Sequence, residues 1–217
     1  MYWEIIWPGE SEGKGDRMEK QRVVVATKNK KKLAELIDAF DGLGLELVPL
    51  SFYGETPDAV EDGETFEANA IIKARFYSEQ LGVPAIADDS GLTIEKLGGA
   101  PGVHSARYCG HHGSDEENNA HMVEEMKRIG ADESAAAYEC VLAFVNSADG
   151  TVLTSAGSVS GTIYLVPRGE GGFGYDPYFY LPSGKTMSEL TFEEKDAISH
   201  RGEAIRAMRP LLESYLK

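Results

Sequence analysis

The chain has 217 residues, 42% of them hydrophobic, enough for one substantial core and in the size range of one domain. Lys and Arg number 21 against 36 Asp and Glu, a formal net charge of −15; this argues against a surface for a nucleic-acid polymer, where affinity comes from many cations, but leaves room for a local basic pocket for one small anion. No stretch reaches the length of a membrane span, and Cys109 and Cys140 give neither a disulfide framework nor a metal-ligand spacing, so a reduced, cytoplasmic setting is expected.

Residues 1–20 (MYWEIIWPGESEGKGDRMEK) read as an extension without function, with Met18 a candidate start, and residues 21–217 as a single domain. Residues 22–26 (RVVVA) are a β-branched run that predicts a buried strand; Thr27-Lys28-Asn29 breaks it, and Leu33, Leu36, Ile37 and Phe40 then recur at helical spacing. A second strand is expected over residues 45–48, closed by Pro49, and a helix over residues 64–81 with Gly82 as its C-terminal cap. The strand over residues 84–87 ends on Asp88-Asp89, and Ser90-Gly91 is expected to turn the chain. A surface helix follows over residues 115–129. Two β-rich runs, residues 138–145 and 151–159, meet at Asp149-Gly150, a hairpin signal. A Gly-rich turn over residues 169–174, a short aromatic strand over residues 178–180 and a helix beginning near Ser199 complete an α/β pattern around a mixed sheet.

Four segments carry residue types with chemistry. Thr27, Lys28, Asn29, Lys30, Lys31 and Lys32 open the first helix, where unpaired backbone N–H groups and the helix dipole favour an anion; a capped helix with a solvated lysine run explains the same residues equally well. Asp88 and Asp89, with Glu61 upstream, offer hard oxygen ligands of the kind that hold Mg²⁺ with substrate phosphates, and Asn69 and Lys73 share a helix face beside them. In Gly171–Pro177 the glycines let a flat ligand approach, Phe173 can stack on a base, and Asp176 can accept from ring N–H groups. His200 and Arg201 follow the N-cap Ser199 into a first helical turn where cations are disfavoured, a placement that asks for an anion or a carbonyl-rich ligand. Cys109, His111 and His112 resemble soft-metal ligands, but no second Cys or His pair stands at a fitting spacing, so the reading sets them aside.

Five blocks, in order, carry a resemblance: VVVATKNKKKLAEL, ETFEANAIIKA, AIADDSGLTIEKLGGAPGVHSARY, GGFGYDPYFY and KTMSELTFEEKDAISHRGEA. Together they resemble the inosine/xanthosine triphosphate pyrophosphatase family, enzymes that clear non-standard purine nucleotides, from about Arg22 to the last helix. The departures are the His111-His112 pair, Ala68 where an acid is common, and the N-terminal extension.

The resemblance implies an elongated mixed sheet flanked by helices, in two lobes with the nucleotide between them. It also implies a homodimer, a need for Mg²⁺, and hydrolysis of ITP, dITP and XTP to the monophosphate and pyrophosphate by metal-activated water and a carboxylate base. Carried onto this chain, it makes Asp89 the base and Glu61 and Asp89, with Asp88 close by, the metal ligands. Thr27 to Lys32 would cradle the triphosphate, Ser90, Lys73 and Lys195 would support substrate and metal, and Phe173, Gly174, Tyr175, Asp176, His200 and Arg201 would form the base pocket. The competing readings are a Maf-like nucleotide pyrophosphatase, a nucleotide sensor without turnover, and a general phosphatase.

Overall fold

The computed structural model describes residues 20–111 and 113–217; the expected extension, apart from Lys20, lies outside the described residues, as does His112. The elements run β1 (Gln21–Val25), α1 (Lys30–Ala39), β2 (Leu45–Pro49), α2 (Phe66–Leu81), β3 (Ala85–Ile94), α3 (Asp115–Arg128), β4 (Glu133–Asn146), β5 (Thr151–Tyr164), β6 (Phe179–Tyr180), α4 (Phe192–Ala197) and α5 (His200–Tyr215). They build an α/β architecture on one six-stranded sheet of order β2-β1-β3-β4-β5-β6. β1 pairs in parallel with β2 and β3, and the strands from β3 to β6 are antiparallel, so the sheet is mixed as expected.

The parallel half explains the valine run. Val23 and Val25 face α1 and α5, with Leu36, Phe40, Ile205 and Met208, whereas Val24 faces α2, with Ala70, Ala74 and Tyr77. A strand covered on both faces needs apolar residues at every position, which is why this one reads as a continuous run. Thr65 caps α2 by accepting from the Ala68 N–H, and Gly82 ends it in the left-handed conformation at φ 66°. The Asp149-Gly150 turn joins β4 to β5, both longer than their apolar runs suggest.

One expectation is corrected. The chain does not turn at Ser90-Gly91; β3 continues through Asp88-Asp89-Ser90-Gly91 to Ile94, paired to β4 along its whole length. Gly91 serves close packing instead, since a Cβ there would strike Ser105 Oγ and stand 2.6 Å from the Gly102 carbonyl. On the α1/α5 face, β3 buries Ile86 in one apolar cluster and Leu92 and Ile94 in a second, built with Met122 and Met126 of α3. Asp88 and Ser90 fall in the interval between the two clusters.

Candidate active site

Because side chains alternate along a strand, the adjacent acids of β3 leave it on opposite faces. Asp88, only 2% exposed, meets α1 and α5: Lys32 Nζ donates to its Oδ2 at 2.7 Å, and Arg201 Nε stands 3.6 Å from the same oxygen. Burial pushes this carboxyl up, but Lys32, Arg201 and Lys73 outweigh it and hold the pKa at about 2. Arg201 also donates from Nη1 to Glu35 Oε2 at 2.9 Å, while its buried Nε makes no hydrogen bond. Two acids thus supply the compensation that a cation in the first turn of α5 requires.

Asp89 turns to α2. Burial raises its pKa, the Glu61 carboxylate adds to this, and Lys73, Asn69 and the Ser90 N–H, 3.0 Å from Oδ1, pull it down only in part. Its Oδ2 is buried without a hydrogen-bond partner. Lys73 Nζ bridges Glu61 Oε2 at 2.8 Å and the Asp88 carbonyl at 3.1 Å, and Asn69 Oδ1 accepts from the Gly63 N–H at 2.8 Å, fixing the loop that carries Glu61. A buried oxygen with no donor, next to a second carboxylate, suits a hard cation held by oxygens, so Glu61 and Asp89 fit Mg²⁺. Asp88 spends Oδ2 on cations from the other face.

A cavity of about 440 Å³ opens beside these groups, lined by Thr27, Lys28, Lys32, Lys73 and Arg107 with Asp58, Glu61 and Asp88. Asn29 caps the start of α1, its Oδ1 accepting from the Lys32 N–H at 3.2 Å, and Thr27 Oγ1 accepts from the Asn29 N–H at 3.1 Å. Lys32 and Thr27 are half-buried, Lys28 is exposed and paired with Asp58, and Lys30 is exposed; the side chain of Lys31 lies outside the described residues.

The aromatic loop sits farther along the sheet. Phe173 is 62% exposed, with Lys195 Nζ 4.2 Å from its ring centre. Asp176 is buried and engaged: Oδ1 accepts from Tyr138 O–H at 3.1 Å, and Oδ2 from the Phe173 N–H at 2.9 Å and from Lys195. It therefore shapes the loop in this form rather than presenting a free acceptor. Tyr175 is buried and donates to the Ser105 carbonyl at 2.8 Å. His200 stacks on Tyr138 at 5.4 Å; burial, with Arg201, Lys195 and Lys32 nearby, drives its pKa down to about 4, so the imidazole is neutral near pH 7.

Three contributors were missed in the sequence. Arg107 reaches the cavity wall only because the 3₁₀ segment Gly102–Arg107 packs against β3. Asp115 and Asn119 of α3 grip Gly174 from both sides: the Gly174 N–H donates to Asp115 Oδ2 at 2.5 Å and Asn119 Nδ2 donates to the Gly174 carbonyl at 2.8 Å. The paired asparagines 118–119 were a local signal, since polar residues on the inner face of an amphipathic helix need partners.

The sheet and helices thus define an α/β protein whose cavity gathers cations and carboxylates. Residues 23–211 match the Ham1 family, and the chain belongs to it. It is 46% identical over 189 residues to the dITP/XTP pyrophosphatase of Geobacter sulfurreducens, covering 87% of this chain and 94% of that protein. It is 47% identical over 190 residues to the dITP/XTP pyrophosphatase of Escherichia coli K12, covering 87% and 96%. Among solved structures, a HAM1 protein from Coxiella burnetii superposes with a TM-score of 0.84 at 41% identity, over 89% of this chain and 99% of that one.

Proposed function

We propose that the chain is a dITP/XTP pyrophosphatase that hydrolyses ITP, dITP and XTP to the nucleoside monophosphate and pyrophosphate. Membership of the Ham1 family and identities near 46% over almost the full length of the relatives support the activity. The observation that carries the site assignment is the unpartnered, buried Asp89 Oδ2 beside Glu61 and Lys73, next to a cavity walled by Lys28, Lys32, Lys73 and Arg107.

In this reading the two apolar clusters on the α1/α5 face are the cores of two lobes, and the nucleotide lies between them. Residues 21–217 act as one domain, and the enzyme is a cytoplasmic homodimer. Glu61 and Asp89 would hold Mg²⁺, which would supply charge compensation for the phosphates and Lewis-acid activation of water. Lys32, at the mouth of α1 with the Thr27–Lys31 backbone, neutralises the triphosphate, and Lys73 and Ser90 orient it. Asp89, whose Oδ2 no donor occupies, would accept the proton of the attacking water as general base. Phe173 stacks on the base, and Lys195, Gly174, Tyr175 and Asp176 hold that loop in shape. Neutral His200 and Arg201 face the purine, where a 6-keto oxygen accepts from Arg201 and a 6-amino group would leave donors opposed.

Product analysis tests this directly. Purified protein with Mg²⁺ is given ITP, XTP, GTP, ATP and dTTP in parallel. Pyrophosphate with IMP or XMP, and slow turnover of the other three, is the expected result. Release of inorganic phosphate would make the protein a general phosphatase. Nucleotide binding without turnover under any divalent cation would make it a sensor.

A further inference from the structure

The sequence gives no reason to join Cys109 and His111 to any third ligand, but the fold supplies one. Glu117, in the first turn of α3, turns back over the loop so that Cys109 Sγ, a ring nitrogen of His111 and a Glu117 oxygen all lie within 4.8 Å of one another. His111 Nε2 stands 4.0 Å from Cys109 Sγ and 3.7 Å from Glu117 Oε1. Tetrahedral Zn²⁺, with bonds of about 2.3 Å to sulfur and about 2.0–2.1 Å to nitrogen and oxygen, sets its ligand atoms roughly 3.3–3.6 Å apart. Closing the observed triangle to that size takes about 0.3–0.5 Å at the two His111 edges and at most about 1.3 Å at the edge between Cys109 and Glu117.

Two of the three ligands are already anchored by other bonds. Glu117 Oε2 accepts from the Ser114 N–H at 2.8 Å within a capping box, which leaves Oε1 turned to His111. The Cys109 N–H donates to Asn118 Oδ1 at 3.0 Å, which ties the cysteine to α3. The loop closes this tightly because residue 113 is glycine: a Cβ there would strike Cys109 Sγ and stand 3.1 Å from Glu117 Oε2. The exposed His111 ring reorients, and the Cys109 and Glu117 side chains close the remaining gap. The thiol now makes a weak bond to the His111 carbonyl at 3.6 Å, and its proton would leave to solvent on ligation.

We propose that Cys109, His111 and Glu117 form a second metal site, for a borderline-soft divalent cation such as Zn²⁺, separate from the hard-metal carboxylates Glu61 and Asp89. A thiolate, an imidazole and a carboxylate together select this class of ion over Mg²⁺ and balance its charge, with water completing the open coordination sphere. The ion would staple the loop after Arg107 to the first turn of α3, the helix whose Asp115 and Asn119 hold Gly174.

Co²⁺ is the probe, titrated into the full chain with Mg²⁺ in excess and read by the thiolate-to-cobalt charge-transfer band in the near ultraviolet. Cys140 is fully buried in the core, so such a band reports Cys109. The expected result is one equivalent bound per chain, displaced by Zn²⁺, with the band absent in Cys109→Ser and present in Asp89→Asn. Affinity should fall at least about tenfold in both His111→Ala and Glu117→Gln, the latter keeping the capping acceptor while losing the anionic ligand. No band in the parent protein would overturn the proposal. So would a band that His111→Ala and Glu117→Gln leave unchanged, which would mean a lone thiol picking up metal.

Discussion

Asp88 and Asp89 are neighbours in sequence and serve opposite faces of one strand: Asp88 is locked to Lys32 at 2.7 Å, while Asp89 leaves Oδ2 buried without a partner beside α2. The alternation of β3 produces two carboxyls with opposite electrostatics from one dipeptide. The fold stabilises the charge of Asp88 and holds its pKa at about 2, and it disfavours the charge of Asp89, whose pKa is raised. One acid stays ionised among cations; the other carries a charge that its surroundings oppose.

Asparagine at each position should therefore give opposite signatures. Asp88→Asn leaves Lys32 and Arg201 without their shared buried anion and should cost about 3 kcal/mol of stability, near the lower bound for breaking a buried pair. Asp89→Asn removes a charge that the fold opposes, so stability without Mg²⁺ should hold or rise, while kcat falls by about 10²–10⁴ through loss of the general base. Urea unfolding and initial rates on ITP check both; an Asp89→Asn protein with near-parental turnover would remove Asp89 as the base.

The elements were legible where local chemistry decides them: the covered valine strand, the Gly82 cap of α2, the Asp149-Gly150 hairpin and the Ser199 cap of α5. The course of β3 was not. Acids followed by Ser-Gly look like a turn, and only cations from α1, α2 and α5, remote in sequence, make a buried strand of acids tolerable. The short helix α4 carries a capping box, Thr191 with Glu194, but its six residues FEEKDA are too few and too polar to show a helical period. Asp176 shows the converse: its residue type suggests a free acceptor, yet Tyr138 and Lys195, unrelated to it in sequence, occupy its oxygens.

His200 sets a pH dependence. Its folded pKa of about 4 lies below the usual 6.5, because burial and then the cations Arg201, Lys195 and Lys32 oppose its protonation. The unfolded chain therefore binds the proton first. Stability is full above pH 6.5 and declines as pH falls towards 4, by about 3 kcal/mol for this group. Asp89 acts in the opposite sense, being relieved on protonation, and Asp88 loses its contribution only below about pH 4. The difference between parent and His200→Gln isolates the histidine: the variant's advantage should grow from pH 6.5 down to pH 4 in denaturant titrations, and a constant difference would contradict the assignment.

The grip of α3 on Gly174 should be visible in kinetics. Asn119→Ala removes the donor to the Gly174 carbonyl, costing about 1–2 kcal/mol. Its larger effect should be on the aromatic loop: KM for ITP rises several-fold, the preference for ITP over GTP shrinks, and kcat changes little, since the phosphate and metal groups are untouched. Asp115→Ala should act in the same direction. Steady-state kinetics on both nucleotides check this; a fall in kcat at constant KM would place Asn119 in the chemistry instead of the loop.

The seat of α5 on the sheet gives the last test. Gly157 of β5 lies against the backbone of the first turn of α5, where an added Cβ would strike the His200 carbonyl and stand 2.6 Å from the Ala204 N and 2.7 Å from Glu203 Cβ. Its neighbour on β5, Ser158, donates its N–H to Glu203 Oε2 at 2.9 Å, and Ser155 Oγ donates to the Ala204 carbonyl at 2.7 Å, so the helix is pinned at this height. Backbone cannot yield as a flexible side chain can, and Gly157→Ala must lift the start of α5 away from the strand. Overpacking of this kind costs about 1–3 kcal/mol. The displaced turn carries His200 and Arg201, so Arg201 should lose its approach to Asp88 and the ITP-to-GTP ratio should fall together with stability. Gly150→Ala, strained only by its φ of 76° in the distant hairpin turn, should lower stability and leave that ratio intact. If the two variants changed selectivity equally, the lost selectivity of Gly157→Ala would reflect general destabilisation and not the position of α5.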